Sequence, residues 1–480
     1  MTAPSILWFR QDLRLADNPA LAAAVAHGAP ILPVFILDDE TAGDWALGGA
    51  SRWWLHHSLA ALDKDLRKLG AGLCRRRGKS AGVIEALVQE TGAEAVFWNR
   101  CYDPAAVARD KALKARLGAD GIAVKSFNGS LLIEPWELKT GQGGPYKVFT
   151  PFWKAMLAAG APATARGGPK KLTGLEGVDG EALDDWKLLP SRPDWAAGLR
   201  AAWTPGETGA AERLAAFLNE AVDGYKTDRD RPDLAGTSRL SPHLHWGEIS
   251  PRQVWQATRH AIAAGKAEES SALAFLRQIG WRDFSANLLF HWPDFPDRPW
   301  RGAFDAFPWR DDDAGFAAWC RGRTGYPIVD AGLRELWATG WMHNRVRMIA
   351  ASFLVKHLLI PWQRGEKWFW DTLVDADLGN NAAGWQWVAG SGADASPYFR
   401  IFNPVTQGEK FDPRGRYIRE WVPEIAALPD DVLHKPWEAA RETLQDAGIT
   451  LGETYPEPIV DHKAARARAL AGYEKVKKSG

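Results

Sequence analysis

The chain is poor in sulfur: three cysteines, Cys74, Cys101 and Cys320, and four methionines are scattered over 480 residues. Three separated thiols cannot build a four-thiolate cluster. No CxxC pair begins a zinc site and no HExxH is present, so no metal is expected. Charge of either sign is not in excess. With 59 basic and 59 acidic side chains the formal net charge is zero, and any polyanion has to be met by a local patch. No apolar run approaches the ~20 residues of a membrane span. The opening MTAPSILWFRQDLRLADN lacks the basic start, long apolar stretch and small-residue cleavage site of a signal peptide, so a cytoplasmic protein without membrane contact is expected. No GxGxxG follows the first strand-like segment, which disfavours a Rossmann dinucleotide site.

Tyrosine is scarce at 8 residues, whereas tryptophan reaches 26. Two of the indoles stand one residue apart in NNAAGWQW (380–387), behind what reads as a loop nearly bare of side chains. A core built only to fill space uses Leu or Ile, which carry no N–H in need of a partner. An apolar fraction of 46% with 25% charged residues is that of a soluble globular protein, and the length suggests two or three domains.

Residues 1–130 alternate in α/β fashion. SILWF, PILPVFIL, GLCRRR, EAVFWN and GIAVKSF read as short buried strands between Ala-rich helical segments, which predicts a parallel sheet with crossover helices. Residues 131–205 are rich in Gly and Pro and read as a long linker with one helix near Phe152 to Ala159. Residues 206–480 show helical periodicity almost throughout, and the final ARARALAGYEKVKKSG is expected to be a frayed tail.

Two helical segments carry unusual polar faces. In GWMHNRVRMIAASFLVKHLL, Val346, Ile349, Ala350, Phe353 and Leu354 form an apolar side, while Trp341, Asn344, Arg345, Met348 and Ser352 form another. In AFLRQIGWRDFSANLLF, Gln278, Trp281, Arg282 and Ser285 oppose Leu276, Ile279 and Gly280. Each face is either an ordinary solvated side or half of a site for a flat, polar, anionic ligand such as a nucleobase in DNA. A hydroxyl-rich turn, Thr237-Ser238-Arg239-Leu240-Ser241, precedes Pro242; it is either a helix N-cap or a phosphate cradle.

WFRQDLRLADNPAL, GTSRLSPHLHWGEISP, GRTGYPIVDAGLRELWATGWMHNRVRM and DADLGNNAAGWQWVAGSGADASPYFRIFNPVTQGEKFD together resemble the DNA photolyase and cryptochrome family along nearly the whole chain. FLRQIGWRDF is similar to the bacterial photolyases nearest plant cryptochromes, the class III type. The resemblance implies an N-terminal α/β antenna domain (1–130), a linker (131–205) and an all-α C-terminal domain (206–480) holding FAD. It places Tyr225, Thr237, Ser238, Arg239, Leu240 and Ser241 around the FAD phosphates. Asn381 would face flavin N5, Arg347 would pair with Asp375 beside the ring system, and Trp341 and Asp377 would lie on the cofactor's rim. Trp385, Trp362 and Trp309 match a relay of three indoles running from flavin to surface.

The activity implied is light-driven repair of cyclobutane pyrimidine dimers in UV-damaged DNA, with the dimer flipped out of the duplex. Trp281 and Trp387 would flank the lesion, with Asn344, Arg345 and Met348 beside it; (6-4) photolyases place histidines on this face. The family's dimer-binding glutamate is replaced by Gln278, which keeps a donor and an acceptor but cannot ionise. Arg282, Arg400, Lys410, Arg414, Arg416 and Arg419 are candidate DNA contacts. FWNRCYDP, with Asn99, Arg100, Tyr102 and Asp103, matches the antenna region; methenyltetrahydrofolate is the first choice of antenna and a deazaflavin the second. A monomer is expected. The rival reading is a cryptochrome photoreceptor, against which the chain's ending soon after the helical domain counts; a (6-4) photolyase and a Trp-lined carbohydrate-binding protein are further alternatives.

Overall fold

Five short segments pair side by side in parallel: β1 (Ser5–Phe9), β2 (Ile31–Leu37), β3 (Cys74–Arg77), β4 (Ala95–Asn99) and β5 (Ala123–Phe127), in the order β3-β2-β1-β4-β5. They are the five strands expected from the sequence. Ser5 of β1 lies opposite Ile31 on one side and Ala95 on the other. Every residue of β1, β2 and β4 is buried, as both faces of a parallel sheet are covered by helices, whereas edge strand β5 is partly exposed. The crossovers are α1 (Pro19–His27), α2 (Gly49–Leu69), α3 (Ser80–Thr91) and α4 (Pro104–Ala119). Helix α1 starts where Asn18 accepts a hydrogen bond from the Leu21 N–H and stops at Gly28, whose φ of 79° suits the left-handed cap. Trp8 and Trp98 meet edge to face at 5.8 Å in the core between sheet and helices.

The computed structural model describes residues 3–394 and 399–479. The chain divides into two compact units: Met1–Asp223 with Ser238–Pro293 and Val374–Gly379, and Gly224–Thr237 with Asp294–Leu373 and Asn380–Gly480. After the sheet the first unit contains α5 (Phe149–Ala158), α6 (Glu207–Glu220), α7 (Pro251–Ala263) and α8 (Glu269–His291). Helix α7 begins with a reciprocal capping box between Ser250 and Gln253.

The second unit holds α9 (Pro327–Thr339), α10 (Asn344–Ser352) continuing into a π-helical turn (Phe353–His357), and α11 (Trp362–Thr372). It also holds α12 (Leu378–Ala389) from Asn380 onward, and α13 (His462–Ser479). Two expectations are corrected here. NNAAG is not a loop but part of α12: tertiary anchors outweigh the poor helix propensity of Asn and Gly. The C-terminal stretch is not frayed, because Ala465, Ala469 and Val476 share a buried stripe, the latter two packing with Phe304, Phe307 and Leu359.

Candidate functional site

In the first unit the hydroxyl-rich turn is strained at one point, Arg239, whose φ of 50° is left-handed for a residue with a side chain. Its guanidinium lies 4.7 Å from the centre of the Trp203 ring, and Arg213 approaches the same ring at 5.1 Å. Burial, and after it the charge of Arg239, pulls the Arg213 pKa down. Two cations gathered on one indole make an arrangement that an anion relieves, which fits a phosphate-bearing cofactor. The Leu240 N–H donates to Ser238 Oγ at 3.4 Å. The N-cap position of the short helix Ser241–His245 is Leu240, whose side chain makes no cap. Asp375 is buried, and Asp377 lies 3.7 Å from Nδ1 of buried His245.

On α8, Leu276, Ile279 and Gly280 are buried as the periodicity required, and Gln278, Trp281 and Arg282 are half-buried. Gln278 Nε2 donates to the Ala274 carbonyl one turn back at 3.2 Å. The Trp281 ring stacks on Phe149 at 3.6 Å with 11° between planes. Arg282, expected at the DNA, spends its guanidinium on the Ser130 and Leu244 carbonyl oxygens and so clasps a loop and the short helix Ser241–His245 of its own unit. Beside it, Asp283 accepts from the Leu132 and Ile133 N–H groups at 2.8 and 3.1 Å. Burial pushes its carboxyl up to about 7.

In the second unit Asn344 is exposed at the start of α10, its amide nitrogen 3.9 Å from Met348 Sδ, so these two expected lesion contacts stand together. Arg345 does not stand free with them. It pairs with Asp230 at 2.8 Å and lies over Phe411 at 4.3 Å, because a mostly covered cation needs a counter-charge. Arg347 donates through Nε to the Met342 carbonyl at 2.8 Å and sits 5.9 Å from the Trp341 ring centre. Behind this face His343 caps α10, held neutral by burial with its pKa lowered to about 4. Glu335 accepts from the His343 N–H at 3.1 Å and the Tyr417 hydroxyl at 2.6 Å. Tyr225 is buried.

Helices α11 and α12 bring Asn381, Trp385 and Glu366 into one neighbourhood. Asn381 Nδ2 donates to the Glu366 carbonyl at 3.0 Å, which fixes the amide and frees its oxygen for another partner. The Glu366 carboxyl is fully buried, neither oxygen has a hydrogen-bond partner among the described residues, and burial raises its pKa far above the usual range. Such a group is kept only where something else uses it. Trp385 lies flat against Gly365: a Cβ there would overlap the indole, so only glycine lets α11 come this close. Phe369 and Trp319 complete its surround at 5.0 and 6.1 Å. Trp362 is buried at the start of α11, as Trp385 is, and Trp309 is half-buried beside Phe307 at 4.5 Å, so of the expected relay only the last member is partly exposed. Trp387 is half-buried near Gly384, which faces open space.

Three of the four residues expected at the antenna, Asn99, Arg100 and Tyr102, have internal partners. Asn99 donates to Asp12 at 2.6 Å and Asn18 at 2.8 Å and accepts from the Ala20 N–H, while Arg10 reaches its carbonyl. Arg100 makes a two-pronged pair with Glu134, which also accepts from the Tyr102 hydroxyl at 2.7 Å. Desolvation and then Asp377 push the Asp103 carboxyl, at the start of α4, up to about 6. Of the cations expected to meet DNA, Arg400, Lys410, Arg414 and Arg416 are exposed, whereas Arg419 is tied to the Ala426, Arg414 and Leu428 carbonyls and to Asp430. Sequence reasoning missed Arg213, Lys356, Glu366 and Gln386, because a polar residue within a helical period reads as solvated; the clue for Gln386 was its place between two indoles. Among the described residues no cluster of His, Cys, Asp and Glu could hold a metal.

Residues 5–170 match the family model described as DNA photolyase, and residues 275–475 match the FAD binding domain of DNA photolyase. The chain belongs to the DNA photolyase and cryptochrome family. It is 55% identical to the deoxyribodipyrimidine photo-lyase of Agrobacterium fabrum, over 100% of this chain and 99% of that protein. Its likeness to cryptochrome-1 of Arabidopsis thaliana is 44% identity over 97% of this chain and 69% of that protein. The crystal structure of a bacterial class III photolyase from Agrobacterium tumefaciens superimposes with a TM-score of 0.96, covering 100% of this chain and 98% of that one at 55% identity.

Proposed function

We propose that the protein is a deoxyribodipyrimidine photo-lyase that uses FAD and light to split cyclobutane pyrimidine dimers in DNA. The observation that carries this is the full-length likeness to the Agrobacterium photo-lyase. Bound FAD supplies a light-excited electron donor and takes the electron back once the cyclobutane bonds have opened.

The residues of this chain are assigned the surrounding tasks. Arg239, Thr237, Ser238 and Ser241 hold the phosphates, with Arg213 adding charge; the shared indole of the two arginines supports this. Asn381 orients an amide at the flavin, supported by its bond to the Glu366 carbonyl. Trp385, Trp362 and Trp309 pass an electron inward when the flavin must be reduced, and the partial exposure of Trp309 against the burial of the other two supports the direction. Asn344, Met348, Trp281 and Trp387 receive the flipped dimer, and Gln278 hydrogen-bonds its polar edge. Arg400, Lys410, Arg414 and Arg416 meet DNA phosphates. A light-harvesting antenna, methenyltetrahydrofolate before a deazaflavin, is part of the proposal and rests on the family alone, as do a monomeric state and a cytoplasmic setting.

The test is to illuminate the reduced protein with DNA carrying thymine dimers and count the dimers that disappear. Loss that requires both light and reduced flavin is the expected result. Gln278 and the likeness to plant cryptochromes favour one second reading, a photoreceptor without repair; stable dimers under a fully bleached flavin would establish it.

A further inference from the structure

Lys356 is the one buried lysine among the described residues, with 1% of its surface exposed. Among the described residues it has no carboxylate partner. Its Nζ donates to the Ala389 carbonyl at 2.7 Å, and the Phe399 ring centre lies 3.0 Å away. Burying an ammonium without a counter-ion is costly, and a carbonyl and an aromatic face recover only part of that cost. Burial accordingly pulls its pKa well below that of an ordinary lysine.

The place it reaches explains why a long side chain ending in a donor is used. Ala389 is the last residue of α12, where carbonyls have no partner within the helix and the helix dipole presents its negative end. The π-helical turn Phe353–His357 aims Lys356 there, and one turn earlier Ser352 Oγ accepts from the Phe402 N–H at 3.4 Å. On α12 itself, fully buried Gln386 donates to the Phe295 and Arg298 carbonyls at 2.6 and 2.9 Å and accepts from the Trp300 N–H at 2.8 Å. Two polar anchors on the final turn stop the helix from rotating or sliding. Trp385 lies one turn before Ala389, with its ring already against Gly365 and no slack on that side.

We infer that Lys356 is a positioning residue for the electron relay: its Nζ hydrogen bond pins the last turn of α12 and so holds the Trp385 indole where an electron leaves it. The inference rests on the relay role proposed for Trp385. Asn381 lies two turns from the anchor and is separately bonded to Glu366, so the flavin side of the helix depends on Lys356 less.

The experiment uses full-length, FAD-loaded protein and the variants Lys356→Met, Lys356→Arg and Trp385→Phe. Two quantities are read: the rate at which blue light reduces the oxidised flavin in the presence of an external reductant, and dimer repair by protein reduced chemically beforehand. Lys356→Met is expected to slow photoreduction roughly tenfold through misplacement of the donor, with FAD content and chemically primed repair unchanged. Lys356→Arg, which keeps the donor, is expected to restore most of the rate. Parent-like photoreduction in Lys356→Met alongside a dead Trp385→Phe overturns the inference and leaves the relay standing. Parent-like photoreduction in Trp385→Phe overturns the relay and the inference with it. Equal losses in photoreduction and primed repair, not rescued by arginine, mark Lys356 as merely structural and also overturn it. Should Lys356→Met fail to fold, Lys356→Leu, which likewise carries no donor, takes its place under the same outcomes.

Discussion

Gln278 stands half-buried on α8, at the position where the resemblance places a glutamate, with its amide nitrogen turned to the Ala274 carbonyl. A carboxylate would be repelled by that carbonyl and would turn toward a polar substrate edge, where a charge-assisted bond is about twice as strong as a neutral one. Gln278→Glu is therefore expected to raise the number of dimers repaired per absorbed photon, measured with the flavin already reduced; an unchanged yield removes the claim. Five residues on, Asp283 offers a pH test. Its carboxyl binds a proton more tightly in the folded chain, at about 7, than in the unfolded chain. The stability it lends is thus fully present below about pH 4 and is lost as the pH rises toward 7, a change on the order of a few kcal/mol. In Asp283→Asn, which still accepts from Leu132 and Ile133, this decline should vanish from denaturation midpoints followed between pH 4 and 7.

Among the elements, α12 is fixed by contacts remote in sequence. Removing the Gln386 amide strands two carbonyls and one N–H in a dry interior. Gln386→Ala should cost about 3 kcal/mol or more, read as a lower denaturant midpoint. This dependence on distant partners also explains what the sequence made legible. The three central strands were readable because continuous apolar runs bounded by turns mean burial on both faces, and β3 and β5 by their place in the alternation of strand and helix. The apolar stripes of α8 and α10 were readable because one face repeats with the helical period. NNAAG was misread because local propensity says loop while Gln386, Lys356 and Gly365 say helix. The C-terminal stripe was misread because alanines look neutral until the Phe304–Phe307 surface they cover is known. At the candidate site the chemistry-bearing residues were named on resemblance, and the buried groups behind them, Glu366 and Lys356, were not. A carboxyl or ammonium in a helical period gives no local sign that it faces inward.

For the molecule as a whole, a formal net charge of zero means that attraction to DNA has to come from a patch. Arg400, Lys410, Arg414 and Arg416 remain available for it, since Arg282, Arg345 and Arg419 are committed internally. Replacing Arg414 and Arg416 by glutamine should weaken binding to damaged and undamaged DNA alike, and should reduce the slope of log affinity against log salt by about one for each phosphate no longer neutralised. Weakening confined to damaged DNA would instead place these residues at the lesion. The sheet sets a different limit. Doubly wound sheets ordinarily lodge a ligand just beyond the strand tips where the winding order reverses, here between β1 and β4. In this chain that berth is bolted from inside by Asn99 with Arg10, Asp12, Asn18 and the Ala20 amide. A pigment entering there would have to unlatch four hydrogen bonds first.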